Sequence, residues 1–128
     1  MKISIKNQIE LDGQIELIDQ LYPVEWKEKG DYHYLLYQNE EAEKVVLKFN
    51  DQELVMTRFS EPKSMMRFLK NEAAQVAIHT PLGLQHFLTQ TEFYALDLPQ
   101  QTLNLHYRLT TIDSQQVFAH YKLQISWS

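Results

Sequence analysis

Between Leu103 and Trp127 apolar side chains recur at every second residue: Leu103, Leu105, Tyr107 and Leu109, then Val117, Ala119, Tyr121, Leu123, Ile125 and Trp127. Period two is the mark of strands with one covered face. The polar break from Ile112 to Gln116 contains Asp113 and Ser114 and reads as a turn, so the two runs are expected to pair as an antiparallel hairpin. Both apolar sets fall on odd numbers and must share a face, which requires paired residue numbers to sum to an even value. A three-residue loop, Asp113 to Gln115, meets that condition. It sets Tyr107 opposite Tyr121, Leu105 opposite Leu123 and Arg108 opposite His120.

The same periodicity runs through the rest of the chain. Lys2 to Glu10 carries Ile3, Ile5 and Ile9 on one parity, and Asp12-Gly13 follows as a hairpin signal. A two-residue turn there pairs Ile9 with Glu16; a three-residue loop with Gly13 in the bulge position pairs Ile9 with Ile15, and the bulged register is the one expected. Gln14 to Lys29 is too long for one flat strand, and Pro23 within it predicts a bend or a sheet edge. After a turn at Lys29-Gly30-Asp31, strands over Tyr32 to Gln38 and Lys44 to Phe49 flank an acidic tip, Glu40, Glu41 and Glu43, read as a solvated loop. Asn50-Asp51 turns into a further strand with Leu54, Met56 and Arg58 on one face and Val55, Thr57 and Phe59 on the other. Ser60 to Ala77 fits either a capped amphipathic helix or two short strands. Leu84 to Leu98, rich in Thr, Phe, Tyr and Leu, completes a set of about nine or ten short-spaced strands, which points to a sandwich or a barrel.

With 128 residues the chain has the length of one domain, 1–128, around one core. Seventeen acidic against twelve basic residues give a net charge of −5, which repels phosphate backbones and anionic membranes. Nucleic acid and membrane are therefore not expected partners. No apolar run reaches the roughly 20 residues of a membrane span, and the alternating start lacks a signal-peptide core, so a cytoplasmic location is expected. The absence of cysteine removes disulfides, thiol catalysis and thiolate metal sites together.

The residues that carry chemistry are few. His33, His79, His86, His106 and His120 show neither His-x-His nor His-x-x-x-His spacing, so no metal is expected. No Gly-x-Ser-x-Gly occurs, and three glycines leave no phosphate-cradling loop, so neither a catalytic residue nor a cofactor is expected. Arg58 shares its parity with Leu54 and Met56, a face expected to be at least half buried, where a guanidinium needs an anionic partner. Either a ligand carboxylate supplies it, or a structural pair with Glu53, Glu92 or a strand-end carbonyl does, or the side chain reaches water. Tyr107 and Tyr121 present apolar bodies with polar tips, equipment for orienting a small amphipathic ligand and equally for filling a barrel.

A set of longer stretches carries a resemblance. "KVVLKFNDQELVMTRF" from Lys44 to Phe59, "SMMRF" from Ser64 to Phe68, "TPLGLQHFLTQTEFYALDL" from Thr80 to Leu98 and the alternating "TLNLHYRL" after it resemble the YwiB-like family of small uncharacterised proteins of Gram-positive bacteria. The resemblance covers nearly the whole chain. It implies an all-β fold, a single antiparallel lipocalin-like (calycin-type) β-barrel of about eight to ten strands, with no agreed activity. It also implies a hairpin over Lys63 to Phe68 and Ala73 to His79 in place of the helix. Two departures stand out: Leu82 takes the place of an aromatic before Gly83, and no glycine marks the turn from Leu69 to Glu72. The expected role is non-enzymatic binding of a small apolar or amphipathic molecule in or at the mouth of the barrel, with Arg58, Tyr107 and Tyr121 as contacts. The alternative is a protein–protein interaction module that uses a strand edge, around Pro23, or a homodimer face.

Overall fold

A computed structural model describes all 128 residues as eleven strands and no helix. In chain order these are β1 (Lys2–Leu11), β2 (Gln14–Pro23), β3 (Glu25–Lys29), β4 (Tyr32–Gln38), β5 (Lys44–Phe49), β6 (Glu53–Phe59), β7 (Ser64–Leu69), β8 (Ala73–Thr80), β9 (Gly83–Asp97), β10 (Thr102–Thr111) and β11 (Val117–Trp127). All pairings are antiparallel. One sheet has the order β2-β1-β11-β10-β9-β8, the other β3-β4-β5-β6-β7.

The expected closed barrel is not formed. The two sheets face each other as a sandwich-like pair, and the chain passes between them at two corners. At the first, β2 ends at Pro23 and β3 starts at Glu25 in the other sheet, so proline produces both the bend and the edge expected of it. At the second, β7 and β8 lie in different sheets and no ladder joins them; a single isolated bridge, Leu69 to Glu72, closes the corner. Strands therefore replace the helix pattern of Ser60 to Ala77, but they form a corner and not a hairpin ladder. Asn71 takes the positive φ of 58° in that corner, the role a glycine would ordinarily fill.

Registers follow parity wherever a face is covered. Tyr107 pairs with Tyr121, Leu105 with Leu123 and Arg108 with His120, as the even-sum rule requires. Nearer the tip a bulge between Leu109 and Thr110 shifts the pairing, so the loop is not the three residues Asp113 to Gln115: Thr111 bonds Gln116 around four residues. The first hairpin departs from expectation altogether. Leu11 pairs with Gln14 and Ile9 with Glu16 around a two-residue Asp12-Gly13 turn, both residues at positive φ, 52° and 76°. Near that turn Ile15 and Leu17 are 61 and 74% exposed, so no buried face there penalises the register that separates Ile9 from Ile15.

Fifteen buried side chains from both sheets form one core. The five-stranded sheet contributes three inward rows: His33, Phe49, Leu54 and Phe68; then Trp26, Leu35, Leu47, Met56 and Met66; then Tyr37, Val45, Arg58 and Ser64. The six-stranded sheet answers with rows that include Tyr22, Ile3 and Trp127; Gln20, Ile5, Ile125 and Leu103; and Ile18, Asn7, Leu123 and Leu105.

Candidate functional site

The space between the sheets is not evenly filled. Around Trp127 it is solid: that ring meets Phe49 at 5.3 Å and the edge of Trp26 at 5.7 Å, and Phe49 stacks on His33 at 5.5 Å. His33 Nδ1 also accepts a bond of 3.3 Å from Trp26 Nε1, which makes this histidine part of the packing. No three side chains of the ligating types converge as a metal site.

Where β2 crosses the ends of β4 to β7, the inward side chains are thinner, and a cleft opens. Its outer hollow, about 250 Å³, lies among Gln20, Tyr22, Tyr37, Met56, Arg58 and Ser64, with Asn39 and Glu40 of the β4–β5 loop at the rim. An inner hollow of about 240 Å³ lies among Ile5, Asn7, Ile18, Phe68, Tyr107 and Leu123. Gln20, Tyr37, Met56 and Met66 wall both, so the hollows abut across two flexible methionines.

The expected contacts divide over this geometry. Arg58 faces inward by parity, opposite Val45, yet it stands in the last row of its sheet. Its side chain is 53% exposed, more open than the at least half-buried position expected, and its Nε lies 3.8 Å from Glu43. It thus pairs with neither Glu53 nor Glu92. Glu53 accepts two bonds from Arg67, at 3.2 and 3.0 Å, and Glu92 lies 3.0 Å from Arg108. Tyr107 lines the inner hollow, 7% exposed, and burial first, then Tyr121, raise its pKa. Tyr121 stacks on Tyr107 at 4.5 Å and 8° but lines a different hollow, with Phe87, Leu109 and Phe118. Arg58 and Tyr107 therefore belong to one cleft, and Tyr121 backs its wall.

Three features of the cleft went unread in the sequence. Asn7 occupies an inward row that is otherwise Ile18, Leu123 and Leu105, and its Oδ1 is buried without a partner. The signal was its position: it interrupts the isoleucine parity between Ile5 and Ile9. Tyr22 and Tyr37 stack at 5.1 Å and 12° at the mouth, a pairing between sheets that no local pattern encodes. The Tyr22 hydroxyl donates to Glu40, which holds the Glu40 carboxyl below its ordinary range, while burial and then that bond push Tyr22 up to about 12. The acidic tip is thus a solvated loop only in part: Glu40 and Glu43 turn toward the mouth, and Asn39 organises the loop by accepting from the backbone N–H groups of Glu41 and Glu43.

Comparison with known proteins agrees with this architecture. A structure described as the crystal structure of ywiB protein from Bacillus subtilis is similar over 99% of this chain and 90% of its own, at a TM-score of 0.76 and 18% identity, a likeness of fold. No curated protein matches the chain. Residues 3–125 match the family described as domain of unknown function DUF1934, and the chain belongs to that YwiB-like family.

Proposed function

We propose that the protein is a non-enzymatic cytoplasmic binder of a small amphipathic molecule, held between the sheets where a lipocalin-like protein would use a barrel lumen. The observation that carries this reading is the pair of abutting hollows, which jointly exceed the ~300 Å³ at which ligand pockets begin. Supporting it, the inner hollow is predominantly apolar while one polar atom at its wall, Asn7 Oδ1, is buried without a protein partner. Buried polar groups ordinarily find one. Arg58 stands at the lip and Tyr121 stiffens Tyr107 from behind.

The test compares native with denatured mass of protein purified gently from cells, for the wild type and for Met66→Trp, which fills the wall common to both hollows. An added mass present in the wild type, released on denaturation and absent from folded Met66→Trp, is expected. Added mass that persists unchanged in the variant would place the ligand elsewhere, and a bare wild type that also takes up no alkyl probe would end the reading.

A second reading rests on one observation. β2 is an edge strand whose outward Ile15, Leu17 and Leu21 are 61, 74 and 61% exposed, a surface suited to pairing with a second copy. Light scattering of wild type and Leu17→Lys decides it: a dimer that the lysine dissolves supports this reading, and a monomer at every concentration removes it.

A further inference from the structure

The cleft has an interior for an apolar chain, and its rim has a sign. Around the mouth and the adjoining hollow stand Glu40, Glu41, Glu43 and Glu61, against the single cation Arg58. The Arg58 guanidinium already faces Glu43 at 3.8 Å. Lys44 and Lys63, the nearest lysines in sequence, lie over the Phe59 ring, at 5.6 and 5.0 Å. Phe59 alternates with inward Arg58, so these ammonium groups sit on the outer face. A ligand carboxylate at this mouth would face uncompensated negative charge.

Like Glu41 and Glu61, Glu40 has no cationic partner among the protein's ion pairs, but it differs from them in being fixed by Tyr22, whose hydroxyl donates to it. That same Tyr22 is stacked on Tyr37, so a carboxylate and two electron-rich rings converge on one spot at the entrance. Carboxylate plus aromatic rings is the chemistry that holds an ammonium or quaternary amine. Behind it lie the two methionines and then Ile5, Ile18 and Phe68, with Tyr107 and the unpartnered Oδ1 of Asn7 also at the inner hollow.

We infer that the cleft takes an amphipathic cation, its positive head against Glu40 and the Tyr22–Tyr37 pair and its apolar chain in the inner hollow. The inference rests on the cleft reading above and deepens it by naming the head group.

Octyltrimethylammonium, octanol and octanoate share one chain and differ in charge, so calorimetric titration of the full-length protein with all three separates head from tail. The ammonium is expected to bind about tenfold more tightly than octanol, and octanoate more weakly than octanol, a difference of about 1.4 kcal/mol for the favoured head. Glu40→Gln keeps an acceptor for Tyr22 and lies on an exposed loop, so it should fold; it is expected to bring the ammonium level with octanol while leaving octanol unchanged. Equal affinity for all three probes, octanoate binding tightest, or an ammonium preference that survives Glu40→Gln would each overturn the cationic head while leaving the cleft reading intact. Failure of all three to bind would overturn both.

Discussion

The two ends of the inter-sheet space are built from the same sheets, and they differ in what the inward side chains can span. Facing sheets sit about 10 Å apart. At the Trp127 end, Trp26, His33, Phe49 and Trp127 interlock across that gap, with ring centroids 5.3 to 5.9 Å apart. At the Arg58 end the sheets meet through Tyr22 and Tyr37 at 5.1 Å and through Phe68 and Tyr107 at 4.5 Å, and beside those contacts Gln20 and Asn7 on one side and Met56, Met66 and Ser64 on the other leave open space. Whether such a fold is solid or hollow is thus a matter of side-chain volume at a few row positions, with backbone architecture held constant.

The sharpest way to break this contrast is to empty the solid end. Trp127 is 2% exposed, so Trp127→Ala should cost about 3–5 kcal/mol in urea unfolding. Met66→Ala, in a wall that already borders empty space, should cost only about 1 kcal/mol because few contacts are lost. Equal losses from the two variants would mean that both ends are packed alike.

Alkaline pH gives the next effect, and it acts through Tyr22, Tyr37 and Tyr107 of the cleft together with Tyr32, Tyr94 and Tyr121 outside it, all with raised pKa values. Burial raises the pKa values of Tyr37 and Tyr107, and Tyr22 is pushed up to about 12 by burial and Glu40. A tyrosine whose folded pKa is raised favours folding fully below its ordinary value of 10 and loses that contribution as pH climbs toward the folded value. Stability should therefore hold to about pH 10 and fall above it. Tyr22→Phe should flatten the fall between 10 and 12. An unchanged slope would show that Tyr22 titrates alike in the folded and unfolded chain.

How much of this was legible in the sequence depends on how local the cause was. Strand positions and the Tyr107–Tyr121 register follow from parity, because a covered face penalises any slip by one residue. The first hairpin escaped the same rule because its tip has no covered face; there the tolerance of Asp12 for positive φ decided the turn. For β7 and β8 the local pattern left helix and strands open and family resemblance decided for strands, since Met65, Leu69, Ala73 and Val76 are spaced as a helix would space them, and pairing with β6 and β9 overrides that spacing. Closure into a barrel is a long-range property that no strand encodes. For Arg58, parity gave the correct face but not the depth: alternation says which way a side chain points, and its place along the strand says whether water reaches it.

That distinction yields the smallest predicted effect. If Arg58 were a buried counter-ion, Arg58→Leu would abolish binding of an acidic ligand. As a half-exposed residue 3.8 Å from Glu43 it belongs with surface ion pairs worth about 0.2–1 kcal/mol, so the variant should unfold within about 1 kcal/mol of wild type. Its effect on the cleft should be one of sign. Removing the only cation of the mouth leaves Glu40, Glu41, Glu43 and Glu61 unopposed, so octyltrimethylammonium should bind Arg58→Leu at least as tightly as wild type, and octanol should be little changed. The same calorimetric titration checks both, and an Arg58→Leu protein that folds but no longer binds the ammonium would return the arginine to the centre of the site and the rim carboxylates to its margin.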